Sequence, residues 1–135
     1  MREFNSDLFD LMYQHAKESP RKRSHHNLHG SFDEKVQRLF IALLKGSYVE
    51  PHFHSQEHQW ENFFVLEGEI KVCLYNSDGT VRKTVFVGDG NKTRAIEFFP
   101  NDIHSVECIS DKAIMLEVKE GPFNPEFAKV MMNFD

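Results

Sequence analysis

The stretch EPHFHSQEHQWENFFVLEGEI, residues 50–70, sets His52, His54 and His58 among Glu57, Glu61 and Glu67, around a run of aromatics. His52 and His54 are separated by one residue. On a β-strand that spacing puts both imidazoles on one face, where they can reach a single metal ion. A carboxylate across a bend would complete a facial set, and Glu57 and Glu61 are the candidates. A fourth ligand must come from elsewhere in the chain. His104, behind the turn that contains Pro100 and at the head of an apolar segment, is placed to supply it. Imidazole and carboxylate donors accept Zn, Fe, Ni, Mn or Co, so the expected cofactor is one divalent transition metal. His58, between Glu57 and Gln59 in a polar run, reads as a solvated side chain.

Such a set needs a scaffold, and the rest of the chain reads as one. Its 135 residues fit a single domain, 1–135, with one core. SDLFDLMYQHAKES predicts a helix over about residues 6–18, capped by Ser6 or Asp7, with Leu8, Leu11, Met12 and His15 or Ala16 as its stripe. Ser19-Pro20 ends it, because the residue before proline is pushed out of the helical region. VQRLFIALL is a short apolar run that reads as a strand. From Asn62 onward, strands and turns alternate. The tight turns are Glu67-Gly68-Glu69, Asn76 to Gly79 and Gly88 to Asn91. RAIEFFP, HSVECIS and AIMLEVKEG are three more short strands. Many short strands at regular spacing predict an all-β sandwich or barrel, over about residues 24–120, with one helix in front. The 13 Phe would fill such a core efficiently. The tail PEFAKVMMNF reads as a last helical turn or irregular chain.

Composition narrows the function. A net charge of −5 argues against nucleic-acid binding, and the one basic run, PRKR, reads as a solvated loop. Cys73 and Cys108 each sit in an apolar alternating segment without a CxxC pair, as buried core residues do. No stretch is long enough to span a bilayer and the start has no apolar signal region, so a cytoplasmic protein with no membrane partner is expected. No Ser-His-Asp set, nucleophilic cysteine or phosphate loop is visible.

A second tier of residues could meet a ligand. In SHHNLH, strand parity would put His25, Asn27 and His29 on one face, away from Leu28, where they would line a pocket mouth; an ordinary exposed strand is the equal alternative. Arg38, inside an apolar strand, calls for a dedicated partner. Lys119 and Glu117, near the end of the last strand, and Tyr48, shortly before His52, are further candidates for the rim.

The motif residues resemble the cupins. Gly46 followed after five residues by His52-Phe53-His54, and Glu61 followed after six residues by Gly68, is similar to the first cupin motif with a longer His-to-Glu gap. The spacing to Gly68 selects Glu61 over Glu57. Phe99-Pro100-Asn101-Asp102-Ile103-His104 is similar to the second motif, with Phe99 at the usual proline and Asn101 at the usual glycine. Asparagine tolerates the left-handed turn conformation that glycine would adopt there. The blocks SPRKRSHHNLH, VQRLFIAL, GSYVEPHFH, WENFFVLEGEIKV and LEVKEGPFNP, in that order, resemble the WbuC-type cupin-fold metalloproteins, small bacterial proteins often encoded with O-antigen or other surface-polysaccharide genes. The resemblance implies an all-β cupin jelly-roll barrel with an N-terminal helix and a metal on His52, His54, Glu61 and His104.

Two functions fit. In one, the metal acts as a Lewis acid on a sugar or nucleotide-sugar in surface-polysaccharide biosynthesis, in isomerisation or epimerisation, with iron-dependent oxygen chemistry as a variant. In the other, the same pocket binds a small sugar or carboxylate without turnover. Because a small barrel has limited surface for an extra apolar-striped helix and so many Phe, a homodimer is also expected.

Overall fold

A computed structural model describes residues 1–134. Helix α1 spans Ser6–Glu18. Its cap lies one residue earlier than expected: the Asn5 side chain accepts the Asp7 N–H at 3.0 Å. Ten strands follow: β1 Arg23–Asn27, β2 Val36–Leu44, β3 Tyr48–Phe53, β4 Glu61–Glu67, β5 Glu69–Tyr75, β6 Val81–Gly88, β7 Ala95–Phe98, β8 Ile103–Cys108, β9 Lys112–Glu120 and β10 Val130–Met131. They form two antiparallel five-stranded sheets, ordered β1-β2-β9-β4-β7 and β10-β3-β8-β5-β6. The tail makes a short 3₁₀ turn at Pro125–Phe127 and then pairs with β3 through β10.

The tight turn at Glu67-Gly68-Glu69 is also a crossing between the sheets. β4 belongs to one sheet and β5 to the other, so the chain changes sheets at Gly68. Gly68 has φ +81°, and a Cβ there would lie 2.2 Å from the Lys112 carbonyl oxygen, so only glycine fits. The Asn76 to Gly79 turn does join antiparallel neighbours, β5 and β6.

Strand parity organises both faces of β2. Leu39, Ile41 and Leu43 point between the sheets and join Phe63, Val65, Ile70, Val72, Val87 and Met115 in the main core. Phe40 and Ala42 point the other way and pack with Leu28 and Ile114 under α1. The helix buries Met12, Tyr13 and Ala16 and packs Leu8 beside them, so the expected stripe is met except at Leu11, which is 49% exposed. The two sheets also touch along β6 and β7, whereas β1 and β10 are edge strands on the opposite side.

Candidate metal centre and its cavity

The β3 and β8 register places His52 directly opposite His104. His54 lies one residue past the end of β3, and Glu61 opens β4, on the other sheet. One ring nitrogen from each imidazole and one Glu61 oxygen lie within 4.8 Å of one another. The turn before β8 is tied to this cluster, because Asn101, at φ +71°, donates its N–H to the His54 carbonyl at 2.8 Å. The ring of Phe98 stacks on His104 at 3.8 Å between centroids.

The outward nitrogens decide what the inward ones can do. Nδ1 of His52 lies 2.8 Å from the Glu50 carbonyl oxygen, Nδ1 of His54 lies 2.6 Å from that of Ala128, and Nδ1 of His104 lies 2.8 Å from that of Asp102. A carbonyl only accepts, so each Nδ1 carries its proton and each neutral ring turns an Nε2 lone pair inward. His54 Nε2 approaches Glu61 Oε1 to 2.6 Å, and His104 Nε2 approaches the same oxygen to 3.6 Å. None of these three buried atoms makes a hydrogen bond. With neutral rings acceptors converge on acceptors, which is costly unless a metal ion lies between them or His54 Nε2 takes up a proton and donates it to Glu61. Donors sharing a metal at about 2.0–2.2 Å bond lengths lie up to about 4.4 Å apart, so the cluster needs only a few tenths of an ångström of adjustment to hold one. The residues present fit a divalent transition metal.

The electrostatics agree. Burial pushes His52 down to about 4, helped by the nearby His104, and burial also lowers His104. Burial pushes the Glu61 carboxyl up, but without a metal a positive His54 donating to it, with help from Glu117 and His104, outweighs that and holds it at about 2, so the site favours an anionic Glu61 beside a cation. Glu117 on β9 shares a hydrogen bond with Glu61, and burial followed by the Glu61 charge raises it to about 8. The protonated Glu117 therefore donates to the Glu61 carboxylate and orients it.

The cluster closes one end of a cavity of about 340 Å³ between the sheets. Arg23, His25, Asn27 and His29 line it, as the parity of β1 and its continuation requires. His29 is buried, with Nδ1 2.9 Å from the Arg38 carbonyl oxygen and 3.1 Å from the Arg38 nitrogen. Lys119 lines the cavity too, 3.4 Å from Glu117 and over the Phe123 ring. Two residues of the sequence reading lie elsewhere. Arg38 is exposed on the α1 side of β2, since Gln37 and Leu39 take the inward parity, so it has no buried partner to require. Tyr48 is 47% exposed on the outer face of β3, beside Tyr75, Ser105 and Glu107, while Val49 faces in. Glu57 is exposed and outside the cluster. His58 lines a small neighbouring pocket with Gln59 and Trp60 rather than the cavity.

Sequence reasoning missed Gln37, Lys129 and Ala128 as cavity residues and weighed Arg23 as a ligand contact but preferred a solvated charge. Arg23 was legible, because it shares parity with His25 and Asn27. The tail residues carried no signal, since nothing local shows that Pro125–Phe127 folds back to bring the Ala128 carbonyl to His54.

A jelly-roll with three histidines and a glutamate gathered at one end of the cavity defines a cupin fold with a candidate metal centre. Solved structures show the same fold. The chain is 17% identical to the capsular polysaccharide assembling protein CapF from Staphylococcus aureus, with a TM-score of 0.69 over 85% of this chain and 33% of that one. It is 13% identical to KdgF from Halomonas sp., with a TM-score of 0.60 over 80% of this chain and 86% of that one. Against oxalate oxidase in complex with glycolate the values are 18% and 0.60, over 79% and 54%. The chain thus spans about a third of the length of CapF and about half that of oxalate oxidase. No curated protein matches the sequence. Residues 4–87 match the model of a family described as a domain of unknown function, DUF6016, and the chain belongs to that family. The matched segment holds His52, His54 and Glu61 and ends before His104. Among the described residues no helix is long and apolar enough to cross a membrane.

Proposed function

We propose that this chain is a metal-dependent cupin of the WbuC type, which binds one divalent transition metal on His52, His54, Glu61 and His104 and acts on a sugar or sugar derivative in surface-polysaccharide biosynthesis. The observation that carries the metal is the convergence of three imidazoles and a carboxylate within 4.8 Å, with each Nδ1 spent on a backbone carbonyl so that each Nε2 is left to face the cluster. The order of the five sequence blocks supports the WbuC type. The likeness to CapF, titled a capsular polysaccharide assembling protein, supports the polysaccharide setting.

Turnover rather than storage is favoured by what stands beside the cluster. When bound, the metal would supply Lewis-acid polarisation of a ligand oxygen. Glu117, buried and raised to about 8, holds a proton next to Glu61 and inside the cavity, where it can pass it to a ligand or take one back. Lys119 sits 3.4 Å from Glu117 and steadies it when ionised. The mostly apolar wall, including Leu39, Ile41 and Met115, limits water around the reacting atoms. We further read the chain as a homodimer, which light scattering at several concentrations tests. Elemental analysis of protein purified without added metal tests the central claim. About one transition-metal ion per chain is the expected result, and metal-free protein that also fails to take up Zn, Mn, Fe, Ni or Co overturns it.

A further inference from the structure

The cavity mouth is basic in an acidic protein. The chain carries a net charge of −5, yet Arg23, Lys119 and Lys129 all line this cavity, against Glu61 and Glu117, which are both committed to the metal end. A contiguous groove shares Arg23, Val49 and Lys129 with the cavity and adds Arg21 and Lys22, with Glu50 as its one carboxylate. The PRKR side chains Arg21 and Lys22 are exposed, as expected of a solvated loop, but its backbone is tied down. The Ser47 hydroxyl donates to the Arg21 carbonyl at 2.8 Å, and the Leu44 N–H donates to the Lys22 carbonyl at 3.0 Å. These bonds hold the loop beside the mouth even though Lys22 must adopt φ +57°. The Arg23 guanidinium spends one contact, 3.3 Å, on the Tyr48 carbonyl and keeps the rest of its fork free. Like charges crowd here: burial and then Arg21 lower Arg23, and burial, Arg23 and Arg21 lower Lys129. Such convergence is unfavourable until an anion joins it.

Deeper in, a second group lacks a partner. Gln37 is 1% exposed and lines the cavity. Its Nε2 donates to the Ser31 and Glu34 carbonyls at 3.2 and 2.8 Å, which fixes the amide orientation. Its Oε1 has no hydrogen bond. A buried carbonyl oxygen in this state calls for a hydroxyl or N–H donor. His25 and Asn27 on the same wall offer further polar contacts.

We infer that the ligand of this cavity is a small anionic polyol, a sugar acid or a sugar phosphate, whose charged group rests on Arg23, Lys129 and Lys119 and whose hydroxyls reach Gln37 and the β1 side chains. This rests on reading the cavity as the ligand site, and it names the class of ligand. Isothermal titration at low ionic strength, on metal-loaded and metal-stripped protein, tests it with gluconate, glucose 6-phosphate, glucose and hexanoate. At least one of the two anionic polyols should bind, with glucose about tenfold or more weaker; the tighter of the two tells whether a carboxylate or a phosphate is preferred. Hexanoate, with the charge but no hydroxyls, should bind more weakly than gluconate. The double variant Arg23→Met/Lys129→Met should lower anion affinity about tenfold or more while metal content and thermal midpoint stay unchanged. Glucose binding as tightly as the anions, no binding by either anion, or an unaltered double variant overturns the inference; hexanoate matching gluconate removes the role of Gln37. If the protein takes up no metal, the proposed function fails, and titration of the metal-free protein still decides this inference.

Discussion

The two faces of β2 are built from one run of nine residues and have opposite fates. On the outer face, Phe40 meets Phe4 and Phe9 edge-on at 5.1 and 5.4 Å between centroids and packs with Met12, Tyr13 and Leu28 under α1. On the inner face, Gln37, Leu39, Ile41 and Leu43 border about 340 Å³ of open space, with Gln37 Oε1 unpaired and the Nε2 atoms of His54 and His104 unpaired across the cavity. A chain that wanted only stability would fill the second face as it fills the first. Open volume and unpaired buried polar groups both cost stability, so their coincidence in one place marks a site that a ligand completes.

The sharpest way to break this contrast is to remove a ligand from the inner side. His52→Ala or His104→Ala should strip the metal and leave the helix face intact, read by elemental analysis together with circular dichroism; a variant that keeps full metal content would end the assignment. On the outer face, Phe40→Ala should cost about 3–5 kcal/mol in a denaturant titration, because it leaves a cavity under α1. Metal stoichiometry of the folded fraction should not change, and a loss of metal would mean that the two faces are not separable.

Acidification probes the inner face alone. In the folded metal-free protein His52 titrates at about 4, below its ordinary value of 6.5. Between those values the unfolded chain binds a proton at this residue that the folded one does not, so the His52 contribution to stability is full above 6.5 and falls as pH drops toward 4, while Glu117, raised to about 8, acts in the opposite sense between 8 and 4.5. The His52 loss is on the order of 1.4 kcal/mol per unit of separation. Metal affinity should fall as pH drops into the histidine range, because protons compete with the metal for the imidazole lone pairs. Imidazole NMR signals read His52 separately from Glu117, and a His52 that titrates at its ordinary value of 6.5 would show that it is not shielded from water.

A smaller effect should follow from Glu117→Gln, which keeps the shape but changes the hydrogen bond that orients Glu61. A weakening of metal affinity by about 10–100-fold is expected from competition with a chelator. Unaltered affinity would limit Glu117 to proton handling. Glu57→Gln and His58→Ala should change neither metal content nor stability, because Glu57 is exposed and both lie outside the cluster.

Much of this was legible in the residues. The His52-x-His54 spacing, the seven-residue step from Glu61 to Gly68 and the position of His104 carry the cluster, because metal ligation and a turn at φ +81° each admit few residue types. Asn101 was readable as a left-handed turn residue for the same reason and has φ +71°. Period-two alternation put His25, Asn27 and His29 on one face. It left open which face of β2 is inner, since both are apolar, and Arg38 lies on the outer one. Only the tertiary structure decided that Gly68 is a passage between sheets, that the Ala128 carbonyl fixes the proton of His54, and that Arg21, Arg23 and Lys129 meet at one mouth. These depend on pairings between distant segments, such as β10 with β3, whose register is set by the packing of the whole sandwich and leaves no mark on the local order of residues.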